Sequence, residues 1–214
     1  MIIAIDGPSA SGKSTTARGV AERLGIRHLD TGAMYRAVTL GIIDYGINLD
    51  DHDRICEFLE ELEISFDSLN DIWANGDNVT RKIRTIEISS NVSAVSAIPQ
   101  VREKLVAIQR VIADSFDCVL EGRDIGTVVF PNADYKFFLI ADLEIRAKRR
   151  LVELEKIGEF SSLSELKSDI QNRDRLDTSR NISPLLQAED AITIDTGNLT
   201  IDEQIEIIVE IINK

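Results

Sequence analysis

The feature that most constrains the fold of this chain is a glycine-rich segment close to its start. The apolar run 2–5 is followed by Gly7-Pro8-Ser9-Ala10-Ser11-Gly12-Lys13-Ser14-Thr15, which matches the phosphate-binding P-loop pattern Gly-x-x-x-x-Gly-Lys-Ser. Glycines allow the backbone N–H groups of such a loop to converge on phosphate oxygens, and the following helix adds the positive end of its dipole. The pattern predicts that Lys13 reaches the β- and γ-phosphates of a nucleoside triphosphate and that the Ser14 hydroxyl binds Mg²⁺.

The sequence on either side of the loop supports this interpretation over that of an ordinary turn. An apolar strand pattern precedes it, and Ala17, Val20, Ala21 and Leu24 follow at the i, i+3, i+4, i+7 spacing of an amphipathic helix. Gly25 is a typical helix stop. The surroundings therefore predict the strand–loop–helix unit that a P-loop requires.

Length and cysteine content favour one globular domain in a reducing compartment. The chain has 214 residues, the size of a single domain, and the motif begins so early that no signal peptide is expected. Cys56 and Cys118 match no metal-binding or redox spacing, so we expect two buried free thiols and a cytoplasmic location.

The charge distribution points to a local anionic ligand. The net charge of −13 argues against nucleic acid or a membrane surface as partner. Residues 50–78 are acidic, with Arg54 the only arginine or lysine, whereas basic residues gather at 81–84, 146–150 and 173–180. Solvated helix faces remain the alternative interpretation of these basic groups.

Alternating strand and helix patterns predict an α/β fold: a P-loop core with a parallel sheet and flanking helices. A small antiparallel insert is expected at about 63–80, because Asn75-Gly76 between two short apolar segments is a hairpin signal. Helices are expected at 84–96 and 99–114, a loop at 158–164, and a terminal helix opened by a Thr200–Glu203 capping box. We expect a single domain, 1–214, with a lid segment at about 151–164.

Three further segments combine arginine with polar side chains. The segment 30–36 places Thr31, Tyr35 and Arg36 at a predicted helix start, where an anion would meet N–H groups, a phenol and a guanidinium. Segment 121–131 places Arg123 and Asp124 after a buried strand, where ligands bind in open α/β sheets. Segment 173–180 carries charges about one helical turn apart, which a solvated salt-bridge face would also produce.

Taken in order, these segments resemble the cytidylate kinases, a family of nucleoside monophosphate kinases. The resemblance covers nearly the whole chain and rests most on Asp30-Thr-Gly-Ala-Met-Tyr-Arg36 and Gly122-Arg-Asp-Ile-Gly-Thr-Val-Val-Phe-Pro131. It implies transfer of the γ-phosphoryl group of MgATP to CMP or dCMP, with Mg²⁺ as cofactor and a monomer as the active form. Residues 48–80 are the least family-specific stretch, and no site residue is assigned there.

The resemblance also implies individual roles. ATP would be bound by the nine loop residues 7–15. CMP would be bound by Thr31, Tyr35, Arg36, Ser93, Arg102, Arg123, Asp124, Arg173, Asp177 and Arg180. Of these, Tyr35, Arg36, Arg123 and Arg180 would hold the phosphate, Ser93, Arg102 and Asp124 the cytosine, and Asp177 with Arg173 the ribose. The catalytic residues would be Lys13, Arg123 and Arg180, and the lid would contribute Arg149 or Arg150.

The chemistry of such a reaction needs no catalytic histidine. The acceptor phosphate is mostly ionised at pH 7, because its second pKa is about 6, so catalysis reduces to positioning and charge stabilisation. His28 and His52 are accordingly interpreted as structural or exposed. The N4 amino group of cytosine can donate a hydrogen bond to a carboxylate. This favours Asp124 as the residue that distinguishes CMP from UMP.

Three alternatives remain open on the residues alone. A P-loop switch or binding protein is one, although the Asn/Thr-Lys-x-Asp motif that reads guanine is absent. A kinase for another small acceptor, such as UMP, is the second. The third is an aspartic protease, because Asp-Thr-Gly occurs twice, at Asp30 and Asp195, as in the paired carboxylates of those enzymes. That fold is almost entirely β, however, and this sequence is rich in helical periodicity.

Overall fold

A computed structural model describes residues 1–67 and 69–214; Ser68, within the predicted insert, lies outside the described residues. In chain order the strands are β1 (Ile2–Asp6), β2 (Arg27–Asp30), β3 (Ile64–Phe66), β4 (Ile72–Ala74), β5 (Asp77–Asn78), β6 (Cys118–Gly122), β7 (Tyr135–Ile140) and β8 (Ile192–Asp195). The helices are α1 (Lys13–Leu24), α2 (Thr31–Asp44), α3 (His52–Glu61), α4 (Ile86–Ser96), α5 (Pro99–Asp114), α6 (Leu143–Lys156), α7 (Leu163–Ser179) and α8 (Ile201–Ile212).

The predicted α/β class is confirmed, and the described residues group into two units. The first unit comprises Met1–Asp30 and Arg110–Lys214, and the second comprises Thr31–Gln109. Each unit has its own sheet, one parallel and one antiparallel. The boundaries expected for an insert and a lid within a single domain stay predictions.

The first unit is built on a five-stranded parallel sheet in the order β2-β6-β1-β7-β8. Its central strand β1 is an unbroken apolar run because helices cover both faces of such sheets, and Ile3, Ala4 and Ile5 are fully buried. Asp6 stands opposite Gly122 in the parallel register. The P-loop and the segment that follows β6 therefore leave the same edge of the sheet from neighbouring strands.

Helices α1 and α8 pack together over a core formed with β1, β6, β7 and β8. Gly19 permits their close approach, because a Cβ at this position would lie 2.2 Å from Cδ1 of Ile205. The Thr200–Glu203 capping box is present as predicted. Tight contact between these two helices fixes the helix that continues from the P-loop.

The second unit contains α2, α3, α4, most of α5 and a three-stranded antiparallel sheet, β3-β4-β5. Asn75 and Gly76 both have positive φ, 49° and 83°, as a two-residue hairpin turn requires. Helix α2 packs against α4 and β4. The predicted antiparallel segment and its hairpin are confirmed.

Several element boundaries differ from the sequence prediction for local reasons. Helix α4 begins at Ile86 because the Thr85 side chain caps the N–H of Ile88, and a 3₁₀ turn at Lys82–Arg84 precedes it. Helix α7 begins at Leu163, inside the expected loop, behind a Ser162–Glu165 capping box. A π-helical turn at Ile125–Val129 had no sequence signal.

Two further observations concern membrane spans and cysteines. Within residues 1–67 and 69–214 there is no helix long and apolar enough to span a membrane. Cys56 and Cys118 are both free thiols, the first half-buried and the second buried. The two thiols are free as predicted, but the prediction that both are buried is wrong for Cys56.

Candidate active site

The P-loop connects β1 to α1 and has the glycine-dependent backbone that the motif predicts. Gly7 has a φ of 149°, and a Cβ there would lie 2.2 Å from the carbonyl oxygen of Leu139. Gly12 has a φ of 96° and stands at the N-terminus of α1. Only glycine fits both positions, so the sequence pattern reflects the path of the backbone itself.

Lys13 is the buried cation of this loop. Its Nζ donates to the carbonyl oxygen of Pro8 over 2.5 Å and to Oγ of Ser11 over 3.4 Å. Burial and the positive charge of Arg123 together lower the pKa of Lys13 to about 7, against the opposing effect of Glu121 and Asp6. A bound phosphate would reverse this shift by supplying the negative charge that the buried ammonium lacks.

Ser14, Glu121 and His28 form a buried polar group beside the loop. The Ser14 hydroxyl donates to Oε2 of Glu121 over 2.6 Å, and Oε1 of Glu121 lies 3.0 Å from Nε2 of His28. Burial raises the pKa of Glu121, but hydrogen bonds from His28 and Ser14 and the charge of Lys13 outweigh it, so the pKa lies below its ordinary value. Glu121 is therefore an ionised carboxylate, and His28 donates to it.

This group suits Mg²⁺, which prefers oxygen ligands and is usually held by one or two protein groups together with phosphates. The described part of the chain has no cluster of three or more His, Cys, Asp or Glu side chains that could hold a metal alone. Glu121 is a candidate site residue that sequence reasoning missed, although its place at the end of a buried strand was a usable signal. His28 is buried and contacts Glu121, and its structural role stays a prediction.

Asp6 was also missed and connects β1 to the segment after β6. Its carboxylate accepts the backbone N–H of Ile125 over 2.9 Å and that of Gly126 over 2.8 Å. Burial raises the pKa of Asp6 to about 6, although the two N–H groups act in the opposite direction. Asp6 thereby fixes the π-helical turn immediately after Asp124.

The residues predicted for acceptor binding in the first unit lie together around Asp177. Nε of Arg123 donates to Oδ2 of Asp177 over 2.9 Å, and Arg180 approaches Oδ1 of Asp177 to 4.0 Å and Oδ1 of Asp124 to 3.8 Å. Burial raises the pKa of Asp177, but Arg123, Arg180 and Arg173 outweigh it and leave it below the ordinary value. Three arginines thus surround two carboxylates.

Arg173 is the third arginine of this cluster, and the carboxylates of Asp177 and Asp174 act on it with the opposite charge. Burial lowers its pKa to about 10, and repulsion from Arg123 contributes to the shift. Its Nε is buried and has no hydrogen-bond partner among residues 1–67 and 69–214. An excess of buried guanidinium groups is the arrangement that an anionic ligand would complete.

The second unit holds the other residues predicted for acceptor binding. Nη1 of Arg36 donates to Oγ of Ser89 over 2.9 Å, and Nη1 of Arg102 donates to the carbonyl oxygen of Ser96 over 3.2 Å. The Arg102 guanidinium lies 5.3 Å from the ring centroid of Tyr35, a cation–π distance. Thr31 and Ser93 are buried in the same unit.

The two candidate lid arginines lie on α6. Arg149 donates to the hydroxyl and carbonyl oxygens of Thr196, and its Nη1 would lie 3.7 Å from a Cβ placed on Gly12. Nη1 of Arg150 lies 3.2 Å from Glu153. Arg149 thus lies against the donor loop.

Solved structures of other proteins share this fold. An uncharacterised protein from Eubacterium ventriosum aligns with a TM-score of 0.56 at 16% identity, covering 100% of this chain and 98% of that one. A shikimate kinase from Bacteroides thetaiotaomicron aligns with a TM-score of 0.51 at 11% identity, covering 100% and 99%. Likeness at these identities concerns the fold alone. A parallel α/β sheet also removes the aspartic-protease alternative, since that fold is almost entirely β.

Sequence relatives are far closer. Proteins named cytidylate kinase are 46% identical in Lactobacillus johnsonii, 48% in Caldanaerobacter subterraneus subsp. tengcongensis and 45% in Clostridioides difficile. The alignments cover 99–100% of this chain and 94–98% of the relatives. The cytidylate kinase family model matches residues 3–214. The chain therefore belongs to the cytidylate kinase family.

Proposed function

We propose that this protein transfers the γ-phosphoryl group of ATP to CMP or dCMP and releases ADP with CDP or dCDP. The observation that carries the proposal is the hydrogen bond from Ser14 of the donor loop to Glu121, which stands two residues before Arg123 in the chain. It joins the donor loop to the segment that carries Arg123, whose guanidinium donates to Asp177. Two groups that each suit an anion are thus adjacent within one unit, as transfer between two nucleotides requires.

Mg²⁺ would be held by Ser14 and Glu121 together with the phosphates of ATP. The support is the 2.6 Å hydrogen bond that already joins the two side chains, and the ionised state of Glu121. When bound, the ion supplies positive charge at the β- and γ-phosphates.

The protein's own residues provide positioning and charge. Backbone N–H groups of 7–15 would bind the donor phosphates, and Lys13 would neutralise them. Arg123 and Arg180 would face the transferring group, where an arginine can be worth about 10³–10⁵ in rate. No general base is needed, because the acceptor phosphate oxygen is already ionised at pH 7.

We propose acceptor-binding roles separately for the residues of each unit. In the first unit, Asp124 would accept the cytosine amino group, and Asp177 with Arg173 would bind the ribose. In the second unit, Ser93 and Arg102 would bind the base, Tyr35 and Arg36 the phosphate, and Thr31 would also contribute to CMP binding. Arg149, against the loop, is proposed as the lid arginine.

The partners proposed are free nucleotides. A net charge of −13 disfavours polyanions such as nucleic acid and anionic membranes. We further propose a cytoplasmic monomer, consistent with two free thiols. Light scattering of the purified chain during gel filtration tests the monomer, and a mass near 48 kDa, twice the 23.8 kDa of the chain, would contradict it.

A nucleotide panel tests the reaction. MgATP is mixed with CMP, dCMP, UMP, AMP, GMP or no acceptor, and ADP formation is followed in a coupled assay. We expect rapid ADP release with CMP and dCMP and almost none without an acceptor. Equal rates with UMP would favour a broader pyrimidine kinase, and slow release without any acceptor would favour a nucleotide switch.

A further inference from the structure

A closed ring of hydrogen bonds joins the P-loop to helices α6 and α7. The backbone N–H of Ser9 donates to Oδ1 of Asp174 over 3.2 Å. Nη1 of Arg146 donates both to Oδ2 of Asp174 and to the carbonyl oxygen of Ser9, the latter over 3.1 Å. Ser9 thus has both of its backbone polar groups satisfied by one ion pair.

The ring is largely buried and has a further attachment point at Ala141. The side chains of Arg146 and Asp174 are 10% and 20% exposed. Nε of Arg146 also donates to the carbonyl oxygen of Ala141, just beyond β7, over 2.9 Å. A guanidinium held by three acceptors on separate segments has one orientation available, which a lysine at this position would not reproduce.

Asp174 lies on α7 close in sequence to two residues that are predicted to bind the acceptor. Arg173 directly precedes it, and Asp177 follows almost one helical turn later. A bare carboxylate beside a phosphate-binding loop would repel ATP, and the charge of Arg146 removes that penalty. Fixing Asp174 on Ser9 therefore fixes the register of α7 relative to the P-loop without placing an unpaired negative charge there.

We propose that Arg146 and Asp174 are positioning residues that hold α7 against Ser9, so that the acceptor-binding residues of α7 stay aligned with the donor phosphate. This inference rests on the proposed kinase reaction and deepens it. Neither side chain needs to touch a nucleotide. Their effect is exerted through Ser9 on one side and through Arg173 and Asp177 on the other.

A second ion pair between the same two helices supplies a matched control. Glu144 of α6 pairs with Lys167 of α7, and its side chain is 44% exposed. No contact described for this pair involves the P-loop. If simple attachment of α6 to α7 were what mattered, loss of either pair would have a similar effect.

The experiment compares Arg146→Met/Asp174→Leu, Asp174→Asn and Lys167→Ala with the unmodified protein. Replacing a buried ion pair by apolar residues of similar size is often neutral for stability, but here backbone groups of Ser9 and Ala141 also lose their partners. Expressing kcat per counted binding site therefore separates catalysis from any loss of folded protein. Thermal unfolding, KM for each nucleotide, and kcat per nucleotide-binding site are measured. Sites are counted by titration with a non-hydrolysable ATP analogue.

We expect the double variant to stay folded with a melting temperature several degrees lower, because backbone groups of Ser9 and Ala141 lose their hydrogen bonds. Its kcat per site should fall about 10- to 100-fold, the cost of a small misalignment. KM for ATP should change less than kcat. Asp174→Asn, which keeps an oxygen for the Ser9 N–H but loses the charge, should lower kcat several-fold, and Lys167→Ala should leave kcat unchanged.

The inference is overturned if the double variant retains full kcat, or if Lys167→Ala loses as much activity as Asp174→Asn. If the double variant fails to fold, the test rests on Asp174→Asn alone. An unchanged kcat in that variant would overturn the inference. Failure of the proposed function looks different, since the unmodified protein itself would then not phosphorylate CMP.

Discussion

The hydroxyl of Ser14 donates to Oε2 of Glu121 over 2.6 Å, although 107 residues separate the two along the chain. The bond joins the start of α1 to the end of β6, two elements that pack against each other. A hydroxyl and an ionised carboxylate held at this distance form the oxygen pair that we propose as the protein's contribution to a magnesium site.

Glu121→Gln should weaken the use of Mg²⁺. The amide lacks the negative charge that favours a divalent ion, so activity at low Mg²⁺ should fall about 10- to 100-fold, and half-saturation should require more Mg²⁺. Initial rates across a Mg²⁺ series at fixed ATP measure both quantities. Glu206→Gln, which alters an exposed carboxylate paired with Arg23, serves as control, and an unshifted Mg²⁺ curve for Glu121→Gln would remove Glu121 from this role.

Binding of ATP at pH 8 should be accompanied by proton uptake at Lys13. The pKa of Lys13 is lowered to about 7 in the free protein, so most molecules carry a neutral amine at pH 8. Bound phosphates raise that pKa, and close to one proton, about 0.9, should be taken up per site. Calorimetric titration in buffers of different ionisation enthalpy measures this number. Lys13→Met should lose the uptake and exposed Lys148→Met should keep it; equal uptake in Lys13→Met would contradict the assignment.

Asp6 should make the protein less stable as pH rises from 5 to 7. Its pKa in the folded state, about 6, lies above the ordinary 3.8, so the folded state binds a proton that the unfolded state has released. The stability from this group is fully present below pH 3.8 and is lost as pH rises through 6.

Comparison with Asp6→Asn isolates this effect, because asparagine does not titrate. The difference in free energy of unfolding, unmodified protein minus variant, should fall by about 1.4 kcal/mol between pH 5 and pH 7. Urea unfolding at the two pH values measures it. A difference that stays constant would mean that the carboxyl group titrates outside this range.

Asp124→Ala should reduce the preference for CMP over UMP. A carboxylate accepts from the cytosine N4 amino group, whereas uracil presents an acceptor at the same place, and such a pair is worth about 1–3 kcal/mol of discrimination. The ratio of kcat/KM for the two nucleotides should therefore drop about 10- to 100-fold, while the affinity for an ATP analogue persists. Asp169→Ala, at an exposed carboxylate of α7, is the control, and an unchanged ratio for Asp124→Ala would exclude this specificity role.

The local features of this chain were predictable from the sequence alone. The P-loop, the Asn75-Gly76 hairpin and the Thr200–Glu203 capping box each depend on residues within a few positions of one another. Turn formation and helix capping depend on residues within that range, so the local backbone geometry can be predicted from the residue types. The resemblance to cytidylate kinases rests on the same kind of contiguous segment.

The long-range contacts of the site were decided only by the tertiary structure. Glu121 meets Ser14 across 107 residues, Asp6 meets Gly126 across 120, and Asp174 meets Ser9 across 165. Each contact exists because the strand order β6-β1-β7 brings the ends of β1 and β6 side by side and the helices α6 and α7 against the loop. The sequence does not distinguish a solvated carboxylate from one that is buried against a backbone N–H. The packing of the sheet and its helices determines which partner the carboxylate meets.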